Sequence, residues 1–238
     1  MLITAISCIL ALAQGPKPHG VQSGPNEGRQ IIESMRKAVR EAGPITVTQQ
    51  METKGFPTCI ETLKAMQPRL AIAQAGWVAK GEIRQEWEFH WTGSHKFVYN
   101  IPGKRVQDGE DEDGKLEYEW VGLESAFSDE DIYTKIQKPI SATFNGQSVY
   151  AINASVGEHQ VTVYIDRATY LPAGYTMFLQ DALMPSGKHV DVSAISTYKN
   201  LVLHAPLQAS SFAWIPPKAV RITKPEAGPA IEIDKGPQ

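Results

Sequence analysis

Along EIRQEWEFHW, residues 82–91, apolar and polar side chains alternate. Ile83, Trp87, Phe89 and Trp91 share one side, and Glu82, Arg84, Glu86, Glu88 and His90 the other. A period of two predicts a β-strand with one apolar face. The same alternation recurs over 45–52, 95–101, 115–121, 147–155, 160–166, 174–180 and 189–199, with Gly, Asn, Pro and Asp between the segments.

Two stretches carry the longer period of a helix. After Asn26, a suitable N-cap, the residues Ile31, Ile32, Met35, Val39 and Ala42 form a stripe that Gly43-Pro44 ends. A second helical piece is expected from Thr58, whose spacing to Glu61 fits a capping box, with Pro68 interrupting it. SDEDIYTKI (128–136) predicts a further short helix capped by Ser128.

The outcome is an α+β, sheet-dominated chain. We expect a curved antiparallel open β-barrel with an N-terminal helix and short lid helices. Its boundaries are a signal peptide over 1–13, a flexible leader over 14–25, one domain over 26–222 and a mobile tail over 223–238.

The ends and the composition narrow the setting. MLITAISCILALAQG is an apolar run closing on Ala11-Leu12-Ala13, a small-x-small cleavage pattern, so export to the periplasm or another extracytoplasmic space is expected. Removal of 1–13 leaves Cys59 as the sole cysteine, and a lone exported thiol reads as packing rather than as a nucleophile. The chain of 238 residues has a net charge of −3, which gives no basis for a nucleic-acid partner.

Candidate chemistry is sparse. The acidic loop DGEDEDG (108–114) fails the EF-hand register, because Gly109 and Trp120 fall where carboxylates are needed; it reads as a solvated turn. The six histidines show no metal spacing, although His90 and His95 flank a turn. Asp166 and Asp181 can be cast as an acid pair, but Asp166 opens a turn, and capping is its simpler role. With no nucleophile elbow, phosphate loop or dinucleotide fingerprint, a non-enzymatic protein without cofactor is expected.

What stands out is apolar width. Trp87, Phe89, Trp91, Phe97, Tyr99, Tyr118, Trp120, Val163, Ile165 and Met177, together with Ile83, fall at alternating positions of neighbouring strands. Each residue alone reads as core. Together, on a curved sheet, they describe a concavity that an apolar ligand can fill. At about 25 cal/mol per Å² of apolar area, an acyl chain gains several kcal/mol there without a polar contact.

The C-terminal third is the most specific. VTVYIDRATYLPAG (161–174) runs strand, Asp-initiated turn, Leu171-Pro172, strand. Further on come His204-Ala205-Pro206-Leu207 and the closing Phe212-x-Trp214-x-Pro216-Pro217. This order resembles the outer-membrane lipoprotein carrier (LolA-like) family and its broader periplasmic relatives. The resemblance implies an unclosed barrel whose apolar hollow shields acyl chains of lipid or lipoprotein, and a monomer with a transient membrane-protein partner. It also implies a lid, here at Leu123, Phe127, Ile132, Tyr133 and Ile136. The alternative is a periplasmic regulatory or sensing module of the same fold that binds a protein or peptide.

Overall fold

The computed structural model describes residues 27–66, 70–92, 95–110, 132–157, 159–183, 188–218 and 221–223. Helix α1 (Glu27–Glu41) is followed by β1 (Ile45–Thr53), β2 (Cys59–Met66), β3 (Leu70–Ala79), β4 (Glu82–Thr92), β5 (His95–Asn100) and β6 (Arg105–Glu110). Then come β7 (Tyr133–Thr134), β8 (Ile140–Phe144), β9 (Gln147–Val156), β10 (His159–Asp166), β11 (Pro172–Leu183) and β12 (His189–Val202). A 3-10 turn at Ala209–Phe212 and β13 (Arg221–Thr223) complete the order.

All strands belong to one sheet, ordered β13-β6-β5-β4-β3-β2-β1-β12-β11-β10-β9-β7, with β8 also on β9. Two antiparallel meanders therefore meet along β1 and β12. The pair β13–β6 alone runs parallel among the described strands. No pairing joins β13 to β7 or β8 there, so the sheet is open, as the strand pattern predicts. Among the described residues no helix is long and apolar enough to cross a membrane.

Local chemistry sets the corners. Lys80-Gly81 and Asn145-Gly146 both have positive φ at each residue, the conformation of the tight hairpin turns joining β3 to β4 and β8 to β9. Asp166 acts as the turn residue that its place predicts: its Oδ1 accepts from the amides of Ala168 (3.0 Å) and Thr169 (2.8 Å) and from the Thr169 hydroxyl. Desolvation works to raise this carboxyl, but those hydrogen bonds more than offset it and hold the group below its ordinary range.

Helix α1 lies on the concave face. Ile31, Ile32 and Met35 pack against Ile152, Val163, Ile165, Met177 and their neighbours on β9–β12. Val39 and Ala42 pack against Ile45, Val47, Leu63, Ala73, Phe89 and Trp91 on β1–β4. Gly43, at φ +66°, ends the helix in the left-handed region. His204 and Ala205 then donate their amides to the carbonyls of Ala42 (2.9 Å) and Pro44 (2.7 Å), stitching the chain after β12 to the helix end.

Three expectations are corrected. Residues 59–66 form β2, not a helix: 59–65 pair with β1 and 59–66 with β3. Ala65, Ala71, Ala73 and Ala75, residues of high helix propensity, are buried on the concave face. Ala71 sits opposite Trp91 and Ala73 opposite Phe89, small beside large, which leaves room for α1. Packing volume thus overrides helix propensity. Within 128–136, Tyr133–Thr134 is a strand on β9. Finally, Asp108–Glu110 of the expected acidic turn continue β6, paired with β5. The expected strand over 115–121, the leader and the tail after Thr223 lie outside the described residues.

Candidate functional site

The concave face is read outward from the helix. On β1–β4 the core packed against α1 ends at Val47, Leu63, Ala73 and Phe89. Strand register continues the same face to Gln49, Glu61, Ala75 and Trp87, then to Met51, Cys59 and Trp77. Across β1, Tyr198 lies opposite Gln49, and Ser196 lies opposite both Met51 and Tyr175. Trp77, Trp87 and Met51 are half-buried. This end of the hollow therefore combines wide apolar side chains with a polar row.

The polar row is sparsely satisfied. Gln49 donates from Nε2 to the Tyr175 hydroxyl at 3.1 Å in a buried contact. Ser196 is fully buried, and its Oγ has no hydrogen-bond partner. Burial pushes the Glu61 carboxyl up to about 7. Burial also pushes the Cys59 thiol up to about 12, with the charge of Glu61 adding to the effect, so the thiolate is scarce at neutral pH. That suits packing better than nucleophilic chemistry.

Of the residues expected in the hollow, Trp87, Phe89 and Trp91 share the concave side of β4, the last two fully buried. Val163, Ile165 and Met177 are concave and buried beneath α1. Ile83 is not with them. The register shifts between Ala75 and Gly76, so that Ala75 faces Trp87 but Gly76 faces Gln85, and Glu86 is the extra residue of a β-bulge. Beyond the bulge the alternation flips, Ile83 pairs with Val78 on the outer face, and it is 54% exposed. Gly76 is what permits the bulge: a Cβ there would stand 2.3 Å from the carbonyl oxygen of Arg84.

Phe97 and Tyr99 are also on the outer face. Phe89 pairs with Val98, so Phe97 falls beside His90 and Tyr99 beside Glu88. There the segment after β12 covers them. Trp214 stacks on His90 with centroids 4.4 Å apart and lies 5.0 Å from the ring of Phe97. His90 is bonded through Nε2 to Glu88 Oε2 at 3.0 Å. Burial lowers the His90 imidazole below its ordinary value, against the raising effect of Glu88. Trp214, a residue quoted above for its motif, is thus an outer-face cover.

Tyr118, Trp120, Leu123 and Phe127 lie outside the described residues. Of the remaining lid residues, Tyr133 is buried in the core at β7, and Ile132 and Ile136 pack half-buried against it. Gln49, Glu61, Trp77, Tyr175, Ser196 and Tyr198 were not anticipated. The signal for two of them is a polar residue at the parity of an apolar face: Gln49 in step with Ile45 and Val47, and Glu61 in step with Leu63 and Ala65.

No protein-family model matches the chain. No curated protein matches it either. Among solved structures it is similar to a LolA superfamily protein from Nitrosomonas europaea, at 10% identity and a TM-score of 0.41, over 80% of this chain and 99% of that one. It is similar to a putative outer membrane lipoprotein-sorting protein domain from Vibrio parahaemolyticus, at 15% identity and 0.39, over 77% and 94%. The Pseudomonas aeruginosa MucA/MucB complex gives 11% identity and 0.40, over 79% of this chain and 60% of that one. The open sheet of the present chain is established by its own strand pairing.

Proposed function

We propose that this is an exported, non-enzymatic binding protein that holds acyl chains of lipid or lipoprotein on its concave face, with α1 as a displaceable cover. The observation that carries the reading is the continuation of the apolar face past the helix-packed core to half-buried Trp77, Trp87 and Met51. Apolar width left partly uncovered in a concavity suits an apolar ligand.

The energetics suit exchange between helix and ligand. Ile31, Ile32, Met35 and Val39 are the large apolar side chains that α1 buries, beside Arg36. At ~1.5–3 kcal/mol each, they hold it to the sheet with roughly 6–12 kcal/mol gross. An acyl chain of about sixteen carbons gains roughly 12 kcal/mol at ~0.8 kcal/mol per methylene. Ligand and helix thus compete for one face on similar terms, and Gly43-Pro44 supplies the joint about which the helix swings.

A second reading, a regulatory module that binds a protein or peptide, is favoured by one observation. Strand β8 borders the sheet and carries Ile140, 59% exposed. An edge of this kind can accept an added strand.

Native mass spectrometry of protein taken from the exported fraction, with lipid extraction alongside, tests the first reading. A bound acyl species, lost in a folded Trp87→Glu variant, is the expected result. An apo mass with no uptake of a fluorescent fatty-acid probe overturns it. A stoichiometric protein partner, without lipid, supports the second reading.

A further inference from the structure

The concave face is apolar beneath α1 but changes character past Val47 and Leu63, where strand pairing sets Glu61, Gln49 and Tyr198 side by side on β2, β1 and β12. One residue pair further on, Ser196 faces Met51 and Tyr175. We propose that Glu61 and Ser196, with Gln49 between them, form a head-group site for an uncharged acylglycerol, so that the face reads the glyceryl ester as well as the chain. This rests on the acyl-binding reading above and adds to it the class of head.

The first support is unmet hydrogen-bonding capacity. Ser196 Oγ is wholly buried with no partner. A hydroxyl so placed is costly unless something fills its bond. Gln49 spends an Nε2 hydrogen on Tyr175 and, level with Glu61, is placed to bridge.

The second support is charge. The residues that the register sets around Glu61 are Gln49 and Met51 on β1, Cys59 and Leu63 on its own strand, and Ala75 and Trp77 on β3. The thiol of Cys59 is the sole ionisable group among them. Arg84, beyond Trp77 on β4, is exposed and held by Glu86 at 3.1 Å. The buried cation on α1, Arg36, is paired with Glu33 at 3.4 Å. Among the described strand residues of this row a carboxylate or phosphate head therefore meets no counter-charge and one carboxyl beside it. An ester carbonyl and hydroxyls instead find a protonated carboxyl to donate and a serine hydroxyl that both donates and accepts. Because burial raises Glu61, it keeps its proton to about neutral pH.

The experiment uses the full chain and compares monolaurin with laurate, below their aggregation thresholds at pH 6.5, by tryptophan fluorescence titration. Monolaurin is expected to bind about tenfold more tightly than laurate, the equivalent of one well-placed hydrogen-bonding group. Glu61→Leu is expected to bring the two affinities within about twofold while chain binding persists, and Glu61→Gln, which keeps a donor, preserves the preference. Ser196→Ala, which removes a buried hydroxyl alone, is expected to reduce the preference about threefold, and it carries the test should Glu61→Leu not fold. Equal affinities in the parent protein, or a preference unmoved in the Leu and Ala variants, overturn the head-group site while leaving the acyl-binding reading intact. Binding of neither ligand overturns both.

Discussion

Replacing Glu61 by Gln separates the cost of a half-buried, desolvated carboxyl from every other feature of the sheet. The carboxyl lies on the concave side of β2, and burial lifts it from an ordinary 4.5 to about 7. In the folded protein it therefore holds its proton more tightly than in the unfolded chain. Stability from this group is complete below the unfolded value and is lost as pH rises through the folded one. The difference corresponds to roughly 3–4 kcal/mol at most, at ~1.4 kcal/mol per pH unit. Glutamine has the shape of the protonated acid and does not titrate, so the parent and Glu61→Gln proteins should diverge as pH rises. Urea unfolding at half-unit steps from pH 4 to 8.5 reads this directly. Near pH 4 the two should be close, and above pH 7.5 the variant should be more stable by up to roughly 3–4 kcal/mol, or roughly 6–16 °C in Tm for a domain of this size. Other groups titrate alike in both proteins and cancel. Two parallel stability curves, separated by a constant, would refute the claim that Glu61 is desolvated on the concave face.

Three further outcomes follow from the packing. Ala73→Leu adds volume opposite Phe89 and beneath α1, and should cost about 1–3 kcal/mol in urea unfolding while loosening the helix, seen as faster amide exchange over Glu27–Glu41. Gly76→Val drives a side chain into the Arg84 carbonyl; beyond a cost of at least about 2 kcal/mol, it should shift the β3–β4 register, read as altered cross-strand contacts of Gln85 by NMR. Trp214→Ala uncovers His90, and the His90 imidazole should then titrate closer to its ordinary value, whereas in the parent protein it titrates below it, both read from ring-proton shifts.

Much of the architecture was legible because it is repeated locally. Most of the long strands alternate over enough residues to declare themselves, and the stripe from Ile31 to Ala42 announces α1. Other elements were hidden for identifiable reasons. Strands β2 and β3 carry alanines whose local preference is helical, and only a helix lying above them explains why the residues must be small. Strands β7 and β13 are too short to show any period and exist through their partners β9 and β6.

The candidate site was legible in part, and the division has one cause. Alternation says which residues of a strand share a face, but not which faces of two strands coincide. Trp87, Phe89 and Trp91 could therefore be grouped from the sequence. Phe97 and Tyr99 could not be placed with them or apart from them, because that depends on Phe89 meeting Val98. One extra residue at Glu86 turned Ile83 outward, a consequence of Gly76 on the neighbouring strand. The row of Glu61, Gln49 and Tyr198 unites residues from β2, β1 and β12. The sequence by itself determined the sheet, the helix and the apolar parity of most strands, since those depend on a side chain and its near neighbours. Register, the bulge and the polar row were decided by the tertiary structure, since they arise from pairing between segments as far apart as residues 49 and 198.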